Sequence, residues 1–182
     1  METTERIVES YVRYVKGWAT IPNIRCAGQY EIDLLAIDPV NLDRYHIEVG
    51  VSVSGAYSKL TAKPFSHEAL KQRTKTAGQR RTIGYFVERK FNVPEVIETL
   101  RHFGFDALYG KVIVSWGWTD EAAAQAEAAG IILWDFRDLI REIGAKFKRS
   151  KTYFTDDTLR TLQLFTQAMD QRVHGGGEET TS

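Results

Sequence analysis

Two acidic residues, Asp33 and Glu48, sit in the middle of apolar runs, in EIDLLAI and YHIEVGV. Burying a carboxylate is costly unless a cation, a hydrogen-bond donor or a metal compensates it. Two carboxylates on adjacent segments supply oxygen donors, which suit hard divalent cations. His46 lies two residues before Glu48, where it can touch a metal or phosphate or serve as a satisfied strand histidine. Glu31 precedes Asp33 by the same spacing, as an extra ligand or a hydrogen-bonded edge residue.

The elements that position these residues read as a hairpin. The stretch 29–37 is rich in Ile, Leu and Tyr, and 45–53 alternates with a period near two, as strands do. Asp38-Pro39 ends the first strand, and 41–44 supplies polar turn residues. Side chains two apart share a face of a strand. Glu31 and Asp33 therefore point together. His46, Glu48 and Gly50 share one face, and Ile47, Val49 and Val51 take the other.

An Asp within EIDLLAID, a hairpin, and a Glu on the next strand within IEVGV resemble the core motif of the PD-(D/E)XK nuclease superfamily. The resemblance implies a restriction-endonuclease-like α/β fold, a central mixed β-sheet flanked by helices. It implies Asp33 and Glu48 as catalytic residues and DNA as substrate. The Glu-x-Lys of that motif falls on Glu48 and Gly50, so its lysine is missing here. Such nucleases often carry a helical glutamate, which the resemblance assigns to Glu5 ahead of Glu9. The alternative is that both are solvated, with Glu5 favouring the helix N-terminus. Hydrolysis of a phosphodiester needs an activated water and relief of charge at phosphorus, which Mg²⁺ or Mn²⁺ supplies. The metal ligands implied are Asp33, Glu48 and the carbonyl of Val49.

Gly50 leaves three readings open. A lysine elsewhere reaches the site, with Lys59, Lys63, Lys71 and Lys75 as candidates. The chain is instead a pseudo-nuclease that keeps the fold as a nucleic-acid-binding or interaction module. Or a lineage change has disabled an ordinary nuclease. Glycine is unfavourable in a strand and marks a bulge or a close backbone approach.

The 24 basic residues equal the 24 acidic ones, so the overall balance points to no polyanion. Their distribution does. Between Lys59 and Lys90 nine basic residues face only Glu68 and Glu88. Lys59, Lys63, Lys71, Arg73, Lys75, Arg80 and Arg81 are the expected contacts to DNA phosphates. The aromatics among them, Tyr57, Phe65, Tyr85 and Phe86, read as packing residues. The lone Cys26 excludes an internal disulfide and a cysteine-cluster zinc site. The absence of a membrane-length apolar run and of a signal-peptide layout points to a cytoplasmic protein, with a homodimer left open.

The remaining elements follow from periodicity and caps. Thr3 or Thr4 caps a first helix with Val8, Val12 and Val15 on its apolar stripe, Glu5 at the edge, Glu9 farther round, and Gly17 at its end. A strand or lead-in over 18–27 is interrupted at Pro22-Asn23. Ser66 starts a helix, and Pro94 starts another through His102. A strand over 111–116, an alanine-rich helix capped by Thr119 and closed by Gly130, and a strand over 131–134 predict a parallel β-α-β unit. This segment resembles the end of Mrr-type restriction-endonuclease domains. Asp135 caps a helix closed by Gly144, and 155–169 forms a last amphipathic helix with Leu159, Leu162, Phe165 and Thr166 inward. The whole reads as one domain over 1–170, with 171–182 as a disordered glycine-rich tail.

Overall fold

The computed structural model describes residues 2–51, 59–71, 76–106, 108–149 and 154–171. Helix α1 (Thr3–Ser10) continues as a wider π turn (Tyr11–Lys16) and stops at Gly17, which takes the left-handed conformation with φ 77°. Its start is one residue earlier than expected. Glu2, not Thr3 or Thr4, is the N-cap residue, and its backbone N–H donates to Glu5 Oε2 at 2.8 Å.

Strands β1 (Ala19–Arg25), β2 (Glu31–Ile37) and β3 (Arg44–Val49) run antiparallel in sequence order. Pro22 is tolerated because β1 is an edge strand, and Asn23 takes φ 60° beside it. Strand β2 begins at Glu31, later than expected, because 27–29 forms a tight turn with Gly28 and Gln29 both at positive φ. Beyond β3, the parallel strands β4 (Gly110–Ser115) and β5 (Ile131–Asp135) complete one five-stranded sheet in the order β1-β2-β3-β4-β5. The expected mixed sheet, antiparallel first and parallel after, is thus present.

Among the described residues between β3 and β4 lie four short helices: α2 (His67–Lys71), α3 (Thr76–Gln79), α4 (Ile83–Phe86) with a π turn over Val87–Phe91, and α5 (Pro94–His102). Ser66 Oγ accepts from Ala69 N at 3.2 Å, as its reading as a cap requires. Thr82 Oγ1 does the same for Tyr85 N at 3.1 Å. Helix α6 (Asp120–Ala128) is capped by Thr119 and ends before Gly130, again as expected.

Alternation along the strands divides the core between the two faces of the sheet. Leu34, Ala36, Ile47, Val112 and Val114 pack under α1, α7 (Phe136–Arg149) and α8 (Asp157–Gln171). Ile113 and Ile131 pack on the other face against Ile83, Phe86 and Phe91 and against Ala122 and Ala126 of α6. Leu35 packs beside them on Val96 and Leu100 of α5. Among the described residues no helix is long and apolar enough to cross a membrane.

Two helical expectations are corrected. Gly144 does not end α7, which runs on to Arg149 because its stripe of Phe136, Leu139, Ile143 and Phe147 keeps burying apolar surface. Phe165 does not face the core; it is exposed, while Leu159 is buried. Of the tail expected over 171–182, Gln171 instead ends α8, and 172–182 lie outside the described residues, as do Tyr57, Arg73 and Lys75.

The interior position of Gly144 has a testable sign. A Cβ there would lie 3.6 Å from Thr166 Oγ1, an ordinary contact, and the backbone is not left-handed. Gly144→Ala should therefore raise stability in urea by up to about 1 kcal/mol, the helix-interior difference between the two residues. A loss of stability would mean that the glycine does close the helix.

Candidate functional site

The site follows from the register of the hairpin. Leu34 pairs with Ile47 and Leu35 with His46, so one further step sets Asp33 across from Glu48, on the same face. The two carboxylates, implied by the hairpin motif as ligands of one metal, lie across from each other on one face. Asp33 Oδ2 accepts from the backbone N–H of Val49 at 2.8 Å. Val49, expected to offer its carbonyl to a metal, thus meets Asp33 through its amide. Glu48 and His46 are completely buried, whereas Asp33 retains 9% of its surface. Glu48 Oε1 lies 2.7 Å from His46 Nε2.

The cation comes from α4 and its π turn. Lys90 Nζ lies 3.2 Å from Asp33 Oδ1 and 2.5 Å from Glu48 Oε2. It also donates to the backbone carbonyl of Glu31 at 3.3 Å. The ion pair with Glu48 leaves Oε2 buried without an aligned hydrogen bond. Lys90 was not among the candidates read from sequence, although its signal is present. Ile83, Phe86 and Lys90 recur at i, i+3 and i+7, so the lysine occupies a place on the buried stripe of a helix.

The same helix explains Gly50. A Cβ at position 50 would meet Phe86 Cζ at 2.6 Å, and the backbone there is not left-handed. Glycine is required by the approach of Phe86, not by strain. A lysine placed at position 50 would have to displace that ring, because the helix that carries Lys90 fills the space over Gly50.

The other sequence candidates fall elsewhere. Lys59, Lys63, Lys71 and Arg80 are exposed, and Arg81 is half-buried. The ammonium at the carboxylates is not that of Lys59, Lys63 or Lys71, while Arg73 and Lys75 lie outside the described residues. Glu5 is half-buried at the start of α1. Burial raises its pKa first, and the charge of Asp33 adds to the rise, which puts Glu5 within electrostatic reach of the site. Its carboxylate nevertheless caps its own helix. Glu9 accepts from Thr20 Oγ1 at 3.2 Å instead. His67 pairs with Glu88 at 3.0 Å on the surface.

One ammonium faces two buried carboxylates, and the ionisation follows from that mismatch. Asp33 is pushed up to about 7 by burial and then by Glu48, with Lys90 and the Val49 N–H acting the other way. Glu48 is raised as well, first by burial, with Lys90 opposing. Burial alone would pull Lys90 down. The attraction of Glu48 and Asp33 more than offsets it and holds the amine above its ordinary value. His46 is held down to about 3 by burial and then by Lys90, so its imidazole is neutral.

Asp33 and Glu48 fit a hard cation by donor type. A dication would match both carboxylate charges, and at Glu48 Oε2 it would take the place of the Lys90 ammonium. Among the described residues no group of three or more His, Cys, Asp and Glu side chains is arranged around a metal site. The described acidic side chains of such a site are therefore two. The chain matches no family model, no curated protein and no solved structure.

The raised pKa of Asp33 fixes a pH dependence. The folded protein keeps a proton that the unfolded chain releases near the ordinary value of 3.8. That contribution to stability is complete below about pH 4 and is lost as pH rises through about 7. Asp33→Asn has no such titration. Relative to it, the wild type should lose on the order of a few kcal/mol in urea denaturation between those limits. Parallel curves for the two proteins would place Asp33 in solvent.

Proposed function

We propose that the chain is a Mg²⁺-dependent deoxyribonuclease of the PD-(D/E)XK type, with a restriction-endonuclease-like fold and its motif lysine relocated to Lys90. The observation that carries this reading is the contact of Lys90 Nζ with both Asp33 and Glu48. It supplies from a helix the positive charge that Gly50 cannot supply from the strand. The sheet order supports the same reading, because the two acidic residues lie on adjacent strands and face one way.

Asp33 and Glu48 would hold the Mg²⁺ or Mn²⁺ ion, which when bound polarises the phosphodiester and promotes ionisation of water. Asp33 must lose its proton to do so, so function improves as pH rises through about 7. Lys90 places a fixed charge beside the reacting phosphate and stabilises the negative charge that develops there. Val49 N–H keeps Asp33 turned toward Glu48. The exposed Lys59, Lys63, Lys71 and Arg80 provide a surface for the DNA backbone.

One observation favours a second reading. Lys90 spans both carboxylates and Glu48 is wholly buried, so the trio could be a sealed ion cluster in a nucleic-acid-binding module without catalysis. The two readings separate at Lys90, whose ammonium lies on the oxygens that a divalent ion would use. For the nuclease, Lys90→Met should lower plasmid cleavage by about 10²–10³, as for loss of one electrostatic donor. The same variant should bind Mn²⁺ more tightly in calorimetry, because its competitor is gone. Asp33→Asn should lose both properties. A wild type that neither cleaves DNA nor binds Mn²⁺, with Lys90→Met unfolded, would establish the sealed cluster.

A further inference from the structure

His46 has a place in the site that neither its type nor the hairpin motif assigns. Its side chain is completely buried, and Nε2 is 2.7 Å from Glu48 Oε1. That distance is a hydrogen bond, in which an N–H on Nε2 donates to the carboxylate oxygen, and Nδ1 is left buried with no partner. The ring also meets Phe91 edge-on, with centroids 4.8 Å apart and planes at 79°. Phe91 is the residue after Lys90, at the end of the same π turn. One imidazole therefore touches the anion of the site directly and, through Phe91, the backbone that carries its cation.

A carboxylate buried without donors is free to turn about its last torsion, which is broad and two-fold. The bond at Oε1 removes that freedom and leaves Oε2 as the oxygen that faces Lys90. We infer that His46 is a positioning residue, which aims Glu48 Oε2 at the cation position and seats the Lys90 turn. The inference rests on the proposed role of Asp33 and Glu48 in holding a divalent ion. The two contacts of His46 differ in kind, so substitutions can separate them. Phenylalanine keeps the ring against Phe91 and loses the N–H. Glutamine places an amide N–H near the position of Nε2 and loses the ring.

The test is calorimetric titration of the full chain with Mn²⁺, beside thermal unfolding of each variant. His46→Phe should unfold cooperatively and bind Mn²⁺ about tenfold more weakly or worse, the loss expected when a buried charged acceptor loses a donor. His46→Gln should be the less stable of the two in its packing and yet bind within about threefold of wild type. Mn²⁺ affinity that is unchanged in His46→Phe overturns the inference and leaves the metal reading intact. Affinity that falls in both variants in step with their melting temperatures reduces His46 to a packing residue. If His46→Phe does not fold, His46→Gln decides alone, with retained binding in support and lost binding against. Absence of Mn²⁺ binding in the wild type overturns the metal reading, and this inference with it.

Discussion

The contact of one ammonium with two buried carboxylates is the interaction on which the other features of the site depend. Neither Asp33 nor Glu48 can be charged inside an apolar sheet without compensation, and Lys90 compensates only one charge. The second carboxylate must keep a proton, take a metal, or destabilise the fold. The raised pKa of Asp33 and the raised pKa of Lys90 are two consequences of the same mismatch. Removing one partner from such a buried cluster leaves an uncompensated charge, which typically costs about 3–5 kcal/mol.

The architecture serves that contact from both sides. Antiparallel pairing of β2 with β3 turns the carboxylates to one face, and the parallel strand β4 pairs with the other edge of β3, which makes β3 an interior strand. The segment of α4 then crosses that face. Phe86 settles over Gly50, and four residues later Lys90 reaches the acids. The i, i+4 spacing places both side chains on one side of the helix. The ring that excludes a side chain from position 50 and the lysine that pairs with the two acids thus belong to one packing solution.

Much of this was legible in the sequence. Period-two alternation locates the hairpin and pairs His46 with Glu48 on one face of its strand, and caps at Thr119 and glycines at 17 and 130 bound their helices correctly. What failed had physical reasons. Gly144 looks like a stop, but tertiary burial of Phe147 carries the helix across it. The lysines that follow the hairpin in sequence, from Lys59 to Lys75, are the expected partners of the carboxylates. The contact instead bridges 57 residues, from Asp33 to Lys90. Its local trace is a lysine on an apolar helical stripe, in a stretch where Gly84 weakens the helical pattern. The closeness of Gly50 to Phe86 leaves no trace in the sequence beyond the glycine itself, because it depends on how two elements approach.

The central claim is that Lys90 is the charge partner of Asp33 and Glu48. It is tested most directly by following the Asp33 carboxyl carbon by NMR as a function of pH, in the wild type and in Lys90→Met. The account predicts a wild-type midpoint near 7, and a higher one in Lys90→Met, where the opposing ammonium is gone. An Asp33 that titrates in the ordinary carboxylate range, with a midpoint that Lys90→Met leaves in place, would contradict it.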